Sequence, residues 1–253
     1  MNITTGDVAN HLLGLRDLMA QALSDEEQEA LLSTCLSAAF DRFEGALQMV
    51  LRGSVVVKMR PSPDLVLGKD YDVEEMPFDW ERRPIHELPR FILRRRPVIS
   101  VERVRLELSR NFPVMTLPDS WIRLHKEMGI LTIMPVSDVA VTLHYSGTPF
   151  MPLIQQGWPW SVVPQYVCID YTAGVAEGTR LAEQDNLAWA IAEEAAVRAT
   201  YTLLDMIPSG LSLDGLSQSF AAVENRLEAR QKRIEEFIKS YRRRHLPPEV
   251  FVL

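Results

Sequence analysis

Residues of the types that carry catalytic or metal chemistry are scattered along this 253-residue chain. None of its five histidines stands near another at metal-ligand spacing, and no GxSxG, HExxH, Walker or GxGxxG motif is present. His86 and Glu87 are a candidate acid–base pair, but adjacent residues of a strand point to opposite faces. Cys35 and Cys168 are far apart in sequence and predict buried free thiols in a reducing, cytoplasm-like compartment. We therefore expect no enzyme, no cofactor and no metal.

Three pairs of adjacent glutamates lie in the predicted helices. Glu26–Glu27 fits a helix N-terminus, where the helix dipole stabilises negative charge. Glu193–Glu194 and Glu235–Glu236 predict solvated helix faces. Catalysis by two carboxylates requires them to face each other across a cleft. The alternative hypothesis is a hydrolase whose catalytic carboxylates lie in the β-rich middle of the chain. This hypothesis requires titratable side chains that converge on one site there.

Charge is unevenly distributed. The net charge is -7, yet residues 81–110 carry nine Arg against four Glu and residues 226–245 carry eight Lys or Arg against three Glu, so each stretch is +5 and the remainder is -17. Such segregation indicates patches that meet a partner of opposite sign, or else solvated strand and helix faces. We expect Arg94, Arg95 and Arg96 to join neighbouring copies against an acidic face. The acidic remainder argues against tight DNA binding.

The two ends of the chain predict helices. Thr5 or Asp7 can cap the first helix, and Ser24 with Glu27 forms a capping box for the second, which should end near Gly53. The apolar residues at helical spacing in this half are Val8, Leu12, Leu15 and Met19, then Leu32, Leu36, Ala39, Phe43, Ala46 and Val50. In the C-terminal half they are Leu187, Ile191, Ala195, Ala199 and Leu203, then Leu216, Phe220, Val223, Leu227, Ile234, Ile238 and Tyr241, with an interruption at Arg230.

The middle predicts strands, in runs such as LVLGKDYDV, VISVERVRLEL and QYVCIDY separated by turn residues. The fold class is then α+β: one helical bundle from residues 1–53 and 179–246, with residues 54–178 inserted as an antiparallel β-rich domain, a sheet or a small barrel. Residues 247–253 form a separate tail, because Pro247 at its start ends the last helix. The N-terminus has no signal-peptide pattern, and no apolar run is long enough to span a membrane.

Two segments are candidates for protein contacts. The Pro-rich loop 147–164 presents Trp158 and Trp160, which suit an inter-subunit contact, although packing over the insertion's own core is an equal alternative. The tail ends in four apolar residues, Val250, Phe251, Val252 and Leu253. The basic residues Arg242, Arg243 and Arg244 precede it and could steer it to an acidic surface. Folding back on its own subunit is the alternative for this tail.

Several segments in a fixed order resemble the bacteriophage head–tail connector, or neck adaptor, proteins. They are LGKDYDVEEMPFDW, RRRPVISVERVRL, SWIRL…GILTIMP, VPQYVCIDYTAGV and, most specifically, SLDGLSQSF before a long basic helix. The likeness extends from about Arg52 to Arg244. The family has no catalytic residues to transfer to this sequence.

The resemblance implies a structural role in the virion neck, with the host cytoplasm as the place of assembly. It implies a ring homo-oligomer, expected to be a dodecamer, whose helices line a channel for DNA that passes without sequence-specific binding. The implied partners are other copies of the chain, the portal protein, and a tail, stopper or terminator protein, with no membrane. It also implies that the C-terminal tail docks on the portal.

Overall fold

The computed structural model describes residues 3–12, 16, 19–20, 23–81, 88–109, 112–134, 162–175, 181, 183–206 and 216–245. The chain divides into a helical unit, Met1–Leu51 with Arg180–Leu253, and a β unit, Arg52–Thr179. The helical unit contains α1 (Thr5–Ala9), α2 (Asp25–Leu47), α3 (Gln184–Met206) and α4 (Leu216–His245).

Side-chain caps fix where the N-terminal helices begin. The Ser24 hydroxyl accepts from the Glu27 amide while the Glu27 carboxylate accepts from the Ser24 amide, which confirms the predicted capping box. Thr4 forms the same box with Asp7 at the start of α1. The prediction of Thr5 or Asp7 as the cap was therefore wrong, because Asp7 occupies the third helical position. Helix α2 ends at Leu47, before Gly53, because Gln48 turns the backbone left-handed at φ 52°.

The helical unit is a bundle made from both chain ends, as the sequence predicted. Helix α3 packs against α1, α2 and α4. Its buried face includes Leu187, Ile191, Ala195, Ala199 and Leu203, as predicted. Helix α2 buries Leu32, Cys35, Ala39, Phe40, Phe43 and Leu47, and α4 buries Leu227, Ile234, Ile238 and Tyr241. The buried members of the predicted apolar stripes thus form one shared core, although Val223 is half-buried and α2 uses Cys35, Phe40 and Leu47 in place of Leu36 and Ala46. The predicted Leu15 and the side chains of Leu216 and Phe220 lie outside the described part of the chain.

The β unit contains nine described strands in two sheets. They are β1 (Ser54–Met59), β2 (Val73–Glu75), β3 (Phe78–Glu81), β4 (Arg90–Ile92), β5 (Val98–Ser109), β6 (Phe112–Thr116), β7 (Ile122–His125), β8 (Ile130–Ile133) and β9 (Val162–Gly174), with a 3₁₀ turn at Asp119–Trp121. The larger sheet has the order β2-β1-β9-β5-β6, with β3 also paired to β9, and the smaller has the order β4-β8-β7. The α+β class with a β-rich part is confirmed.

Two details of the β unit differ from the prediction. The sheet is mixed, because β1 and β2 run parallel, whereas the other named pairs are antiparallel. The run LVLGKDYDV was read as a strand, but only its last residue, Val73, is in one. A turn at residues 65–72 precedes β2, where Gly68 has φ 81° and its amide donates to the Tyr71 carbonyl at 2.7 Å. Alternation of residue types alone did not reveal this turn.

Candidate functional site

Glu193 and Glu194 of α3 are each 2% exposed, so the prediction of a solvated face for this pair was wrong. The Glu193 carboxylate lies 3.1 Å from Arg230 Nε and 3.1 Å from His11 Nδ1. Arg230 also donates from Nη1 to the His11 carbonyl at 2.7 Å. This cluster ties α4, α3 and the segment after α1 together, and it explains why a charged residue interrupts the apolar stripe of α4. A buried carboxylate requires such partners.

Glu194 forms a second cluster on the same helix. Arg42 of α2 donates from Nη1 to both carboxylate oxygens at 2.7 Å, and Arg198 donates from Nε at 2.8 Å. Glu194 and Arg198 lie one turn apart on α3 and form an ion pair. Each of the two glutamates therefore contacts an arginine and has side-chain partners from more than one segment of the chain. Both clusters are built to hold helices in register.

Two further carboxylates are buried in the β unit, where the hydrolase alternative would place its catalytic groups. Asp170 accepts from the Met59 amide at 3.0 Å and lies 3.2 Å from Arg105 Nη2. Glu107 contacts Nη1 of the same arginine. These contacts join the neighbouring strands β1, β5 and β9. The bonds are those of a structural ion network, and they give no support to the hydrolase alternative.

The two cysteines are free and buried, as predicted. Burial, followed by the charge of Glu107, raises the pKa of the Cys168 thiol to about 12. Burial also raises the pKa of Cys35. A thiol acts as a nucleophile only when it is deprotonated. Both side chains therefore serve as small apolar core groups at neutral pH.

The arginines expected at an inter-subunit contact have different surroundings. Arg96 is 5% exposed, which corrects its assignment to a surface. Arg95 lies near Glu75, with Nε 3.4 Å from its carboxylate. Arg94 donates to the Met76 carbonyl at 2.9 Å and stacks over Phe78 with its guanidinium carbon 5.3 Å from the ring centroid. Of the three, Arg94 and Arg95 have side chains that are about half exposed, 48% and 41%.

A basic surface that sequence reasoning missed lies on the smaller sheet. Arg90 of β4 and Arg123 of β7 are both in register with Thr132 of β8, so the three side chains form one row across the sheet. The next row on that face consists of Ile92, Ile130 and His125. Arg90, Arg123 and His125 are exposed, and the others are half-buried. We call these six residues the basic sheet face. Because the residues of the basic sheet face lie on three separate strands, no continuous stretch of the sequence predicts this face.

An exposed apolar turn precedes β2. Leu65, Val66 and Leu67 are 36%, 55% and 61% exposed. The Val66 carbonyl accepts from the Asp70 amide at 2.9 Å, and the Asp70 carboxylate accepts from the Val66 amide at 2.8 Å. We call Leu65, Val66 and Leu67 the apolar turn. The exposed acidic residues around it, which we call the acidic rim, are Asp64, Asp70, Asp72 and Glu74.

The predicted portal-docking arginines lie in the last turn of α4, where they complement the helix dipole. Arg242 and Arg243 are exposed. Arg244 Nη1 lies 2.5 Å from the Glu183 carboxylate, and His245 Nε2 lies 3.2 Å from it. The hydrogen bond with His245 is the main cause that lowers the pKa of Glu183.

Several predicted contact residues lie outside the described part of the chain: Trp158, Trp160, Val250, Phe251, Val252 and Leu253. The same is true of His86, Glu87 and His144, and of the side chain of Phe220. Within the described ranges, no group of three or more His, Cys, Asp or Glu side chains is placed to hold a metal ion. No helix among the described residues is long and apolar enough to cross a membrane.

Solved structures that are similar to this chain include two chains of gene transfer agent particles. No family model matches the chain, and no curated protein matches it. A chain from the virion of a native gene transfer agent (GTA) particle is 18% identical at a TM-score of 0.40, over 84% of this chain and 83% of that chain. A chain from the neck of an empty GTA particle is 17% identical at a TM-score of 0.40, over 83% of this chain and 81% of that chain.

Proposed function

We propose that this protein is a structural subunit of the neck of a tailed, phage-like particle, where it acts as a head–tail connector beneath the portal. The observation that carries the proposal is that the segments resembling connectors coincide with structural elements. RRRPVISVERVRL leads into β5, SWIRL…GILTIMP contains the β7–β8 hairpin, VPQYVCIDYTAGV contains most of β9, and SLDGLSQSF runs into α4. The resemblance therefore follows the strands and helices of the molecule.

The finer features of the role belong to the same proposal. The subunit assembles into a ring, expected to be a dodecamer, that binds the portal on one side and a tail, stopper or terminator protein on the other. A channel in this ring lets DNA pass without sequence-specific binding. A subunit that joins head and tail must hold its shape. The buried ion clusters around Glu193 and Asp170 suit this role, because they fix helices and strands in one register.

Removal of the gene from the phage or strain that encodes it tests this role. We expect electron micrographs of the lysate to show DNA-filled heads without tails together with free tails. Wild-type protein supplied in trans should restore tailed particles, and so should the control variant Met206→Ser, whose altered side chain is 53% exposed on α3. Tailed particles in normal number without the gene would refute the proposal.

Portal binding is tested separately with the purified protein. Mixed with portal rings, the chain should shift their mass by a whole number of subunits, measured by native mass spectrometry, and the shift gives the stoichiometry. A portal mass that is unchanged at concentrations well above those in a lysate would contradict the placement beneath the portal.

A further inference from the structure

We infer that the apolar turn and acidic rim of one copy pack against the basic sheet face of the next copy. Both surfaces belong to the β unit and are composed of different residues, so the contact is head to tail. It would supply a joint of the ring, and to that extent it rests on the proposed function.

The apolar turn is held in shape before any partner arrives. Besides the two bonds between Val66 and Asp70, the Val66 carbonyl accepts from the Lys69 amide at 3.2 Å, and the Gly68 amide donates to the carbonyl of the buried Tyr71. Asp72 accepts from the Val56 amide at 2.7 Å, which fixes the end of the turn to β1. A preorganised turn loses little conformational entropy on binding. Three consecutive apolar side chains held outward suit insertion into a partner.

The charges of the two surfaces are opposite. The acidic rim carries Asp64, Asp70, Asp72 and Glu74, and with the neighbouring Lys69 its net charge is -3. The basic sheet face carries Arg90 and Arg123, and the exposed Lys126 and Glu127 just beyond β7 cancel each other. Opposite potentials select the orientation of approach and speed the encounter.

The sheet face also has an apolar part beside its two arginines. Arg90 and Arg123 stand on strands separated by β8, so they are about 10 Å apart. The half-buried Thr132 lies between them, and the half-buried Ile92 and Ile130 lie in the next row. The opposite side of this sheet is occupied by the unit's own core, because Phe91, Leu131 and Ile133 are at most 7% exposed. A small apolar tip with acidic flanks thus meets a face on which two isoleucines lie beside two arginines, so that apolar contact is bordered by opposite charges.

Two double variants separate the surfaces. Val66→Ser/Leu67→Ser removes apolar side chains from the apolar turn and leaves its backbone hydrogen bonds. Arg90→Glu/Arg123→Glu reverses the charge of the basic sheet face. In sedimentation velocity at low ionic strength and submillimolar protein, the wild type should self-associate, less so with added salt. Each variant should raise the dissociation constant of self-association by about tenfold or more. Lys232→Glu/Arg233→Glu on α4 makes the same charge change at exposed positions and should associate like the wild type.

Mixing the two variants gives the sharpest readout. The turn variant keeps an intact sheet face, and the sheet-face variant keeps an intact turn. An equimolar mixture should therefore form dimers that contain one copy of each, although neither variant associates alone. Circular dichroism and melting temperatures equal to those of the wild type establish that both variants are folded. A mixture that stays monomeric, or a wild type that stays monomeric, overturns the proposed contact.

The other candidate for the sheet face is nucleic acid. If a short duplex DNA binds the wild type at low salt, loses affinity in Arg90→Glu/Arg123→Glu, and the copies do not self-associate, the face is a DNA surface and the inference is wrong. Failure of the contact is separable from failure of the connector role. Restored tails in gene-deletion lysates supplied with the sheet-face variant would refute the contact and leave the connector role standing, whereas tailed particles without the gene would refute the role whatever the copies do.

Discussion

Substitution of Arg230 by Met tests whether the cluster around Glu193 holds the helical unit together. Met retains most of the side-chain volume and is a good helix former, so packing and helix propensity change little. The substitution removes the 3.1 Å ion pair with Glu193 and the 2.7 Å hydrogen bond to the His11 carbonyl. Glu193 is then left buried with His11 as its remaining partner in this cluster.

The expected loss of stability is about 3 kcal/mol. Removal of one member of a buried ion pair costs roughly 3–5 kcal/mol, because the other charge stays desolvated. The lower end applies since the Arg230 side chain is 19% exposed and His11 still contacts the carboxylate. Removal of both charges in Glu193→Gln/Arg230→Met eliminates the stranded carboxylate and should restore about half of the loss or more. The amount by which the free-energy changes of the two substitutions fail to add measures the coupling between Glu193 and Arg230.

The assay is urea unfolding followed by the helical circular dichroism signal. The midpoint should fall in Arg230→Met with the m-value unchanged. Lys232→Met on the exposed side of α4 is the matched control and should stay within about 0.5 kcal/mol of the wild type. A loss below about 1 kcal/mol in Arg230→Met, or a double variant no more stable than the single one, would show that the cluster does not hold the helices as described.

Three further outcomes are expected. Phe43→Ala should cost about 3–5 kcal/mol of unfolding free energy, because Phe43 is 0% exposed, and a wild-type urea midpoint would contradict its place in the core. The pKa of Glu27 lies below its ordinary value of 4.5 because the Ser24 amide donates to it. Its contribution is therefore present above pH 4.5 and is lost as pH falls through the lowered pKa, so the melting temperatures of wild type and Glu27→Ala should converge at acid pH and differ at neutral pH. Deletion of residues 247–253 should leave folding intact and abolish portal binding in pull-down, whereas unimpaired binding excludes docking by the tail and a destabilised monomer indicates that the tail folds back.

Local patterns in the sequence determined the helices and their burial. The spacing of Leu187, Ile191 and Leu203 predicts a face of α3 that is buried, because residues three and four apart share one side of a helix whatever it packs against. Ser24 and Glu27 likewise specify the start of α2 within three residues of chain. The change from helical to alternating spacing after Gly53 located the β-rich part for the same reason, since strand periodicity is also local.

Tertiary structure alone decided which charges are buried and which surfaces exist. Glu193 reads as a solvated helix residue, and it can be buried because Arg230, distant in sequence, supplies its countercharge and His11 also contacts it. Arg90 and Arg123 form one row only because both pair in register with Thr132. Arg96 was assigned to a surface from its basic neighbours, yet it is buried. The sequence shows how many charges a segment has, but the side on which each one lies, and what faces it there, depends on strand register and helix packing between residues far apart in the chain.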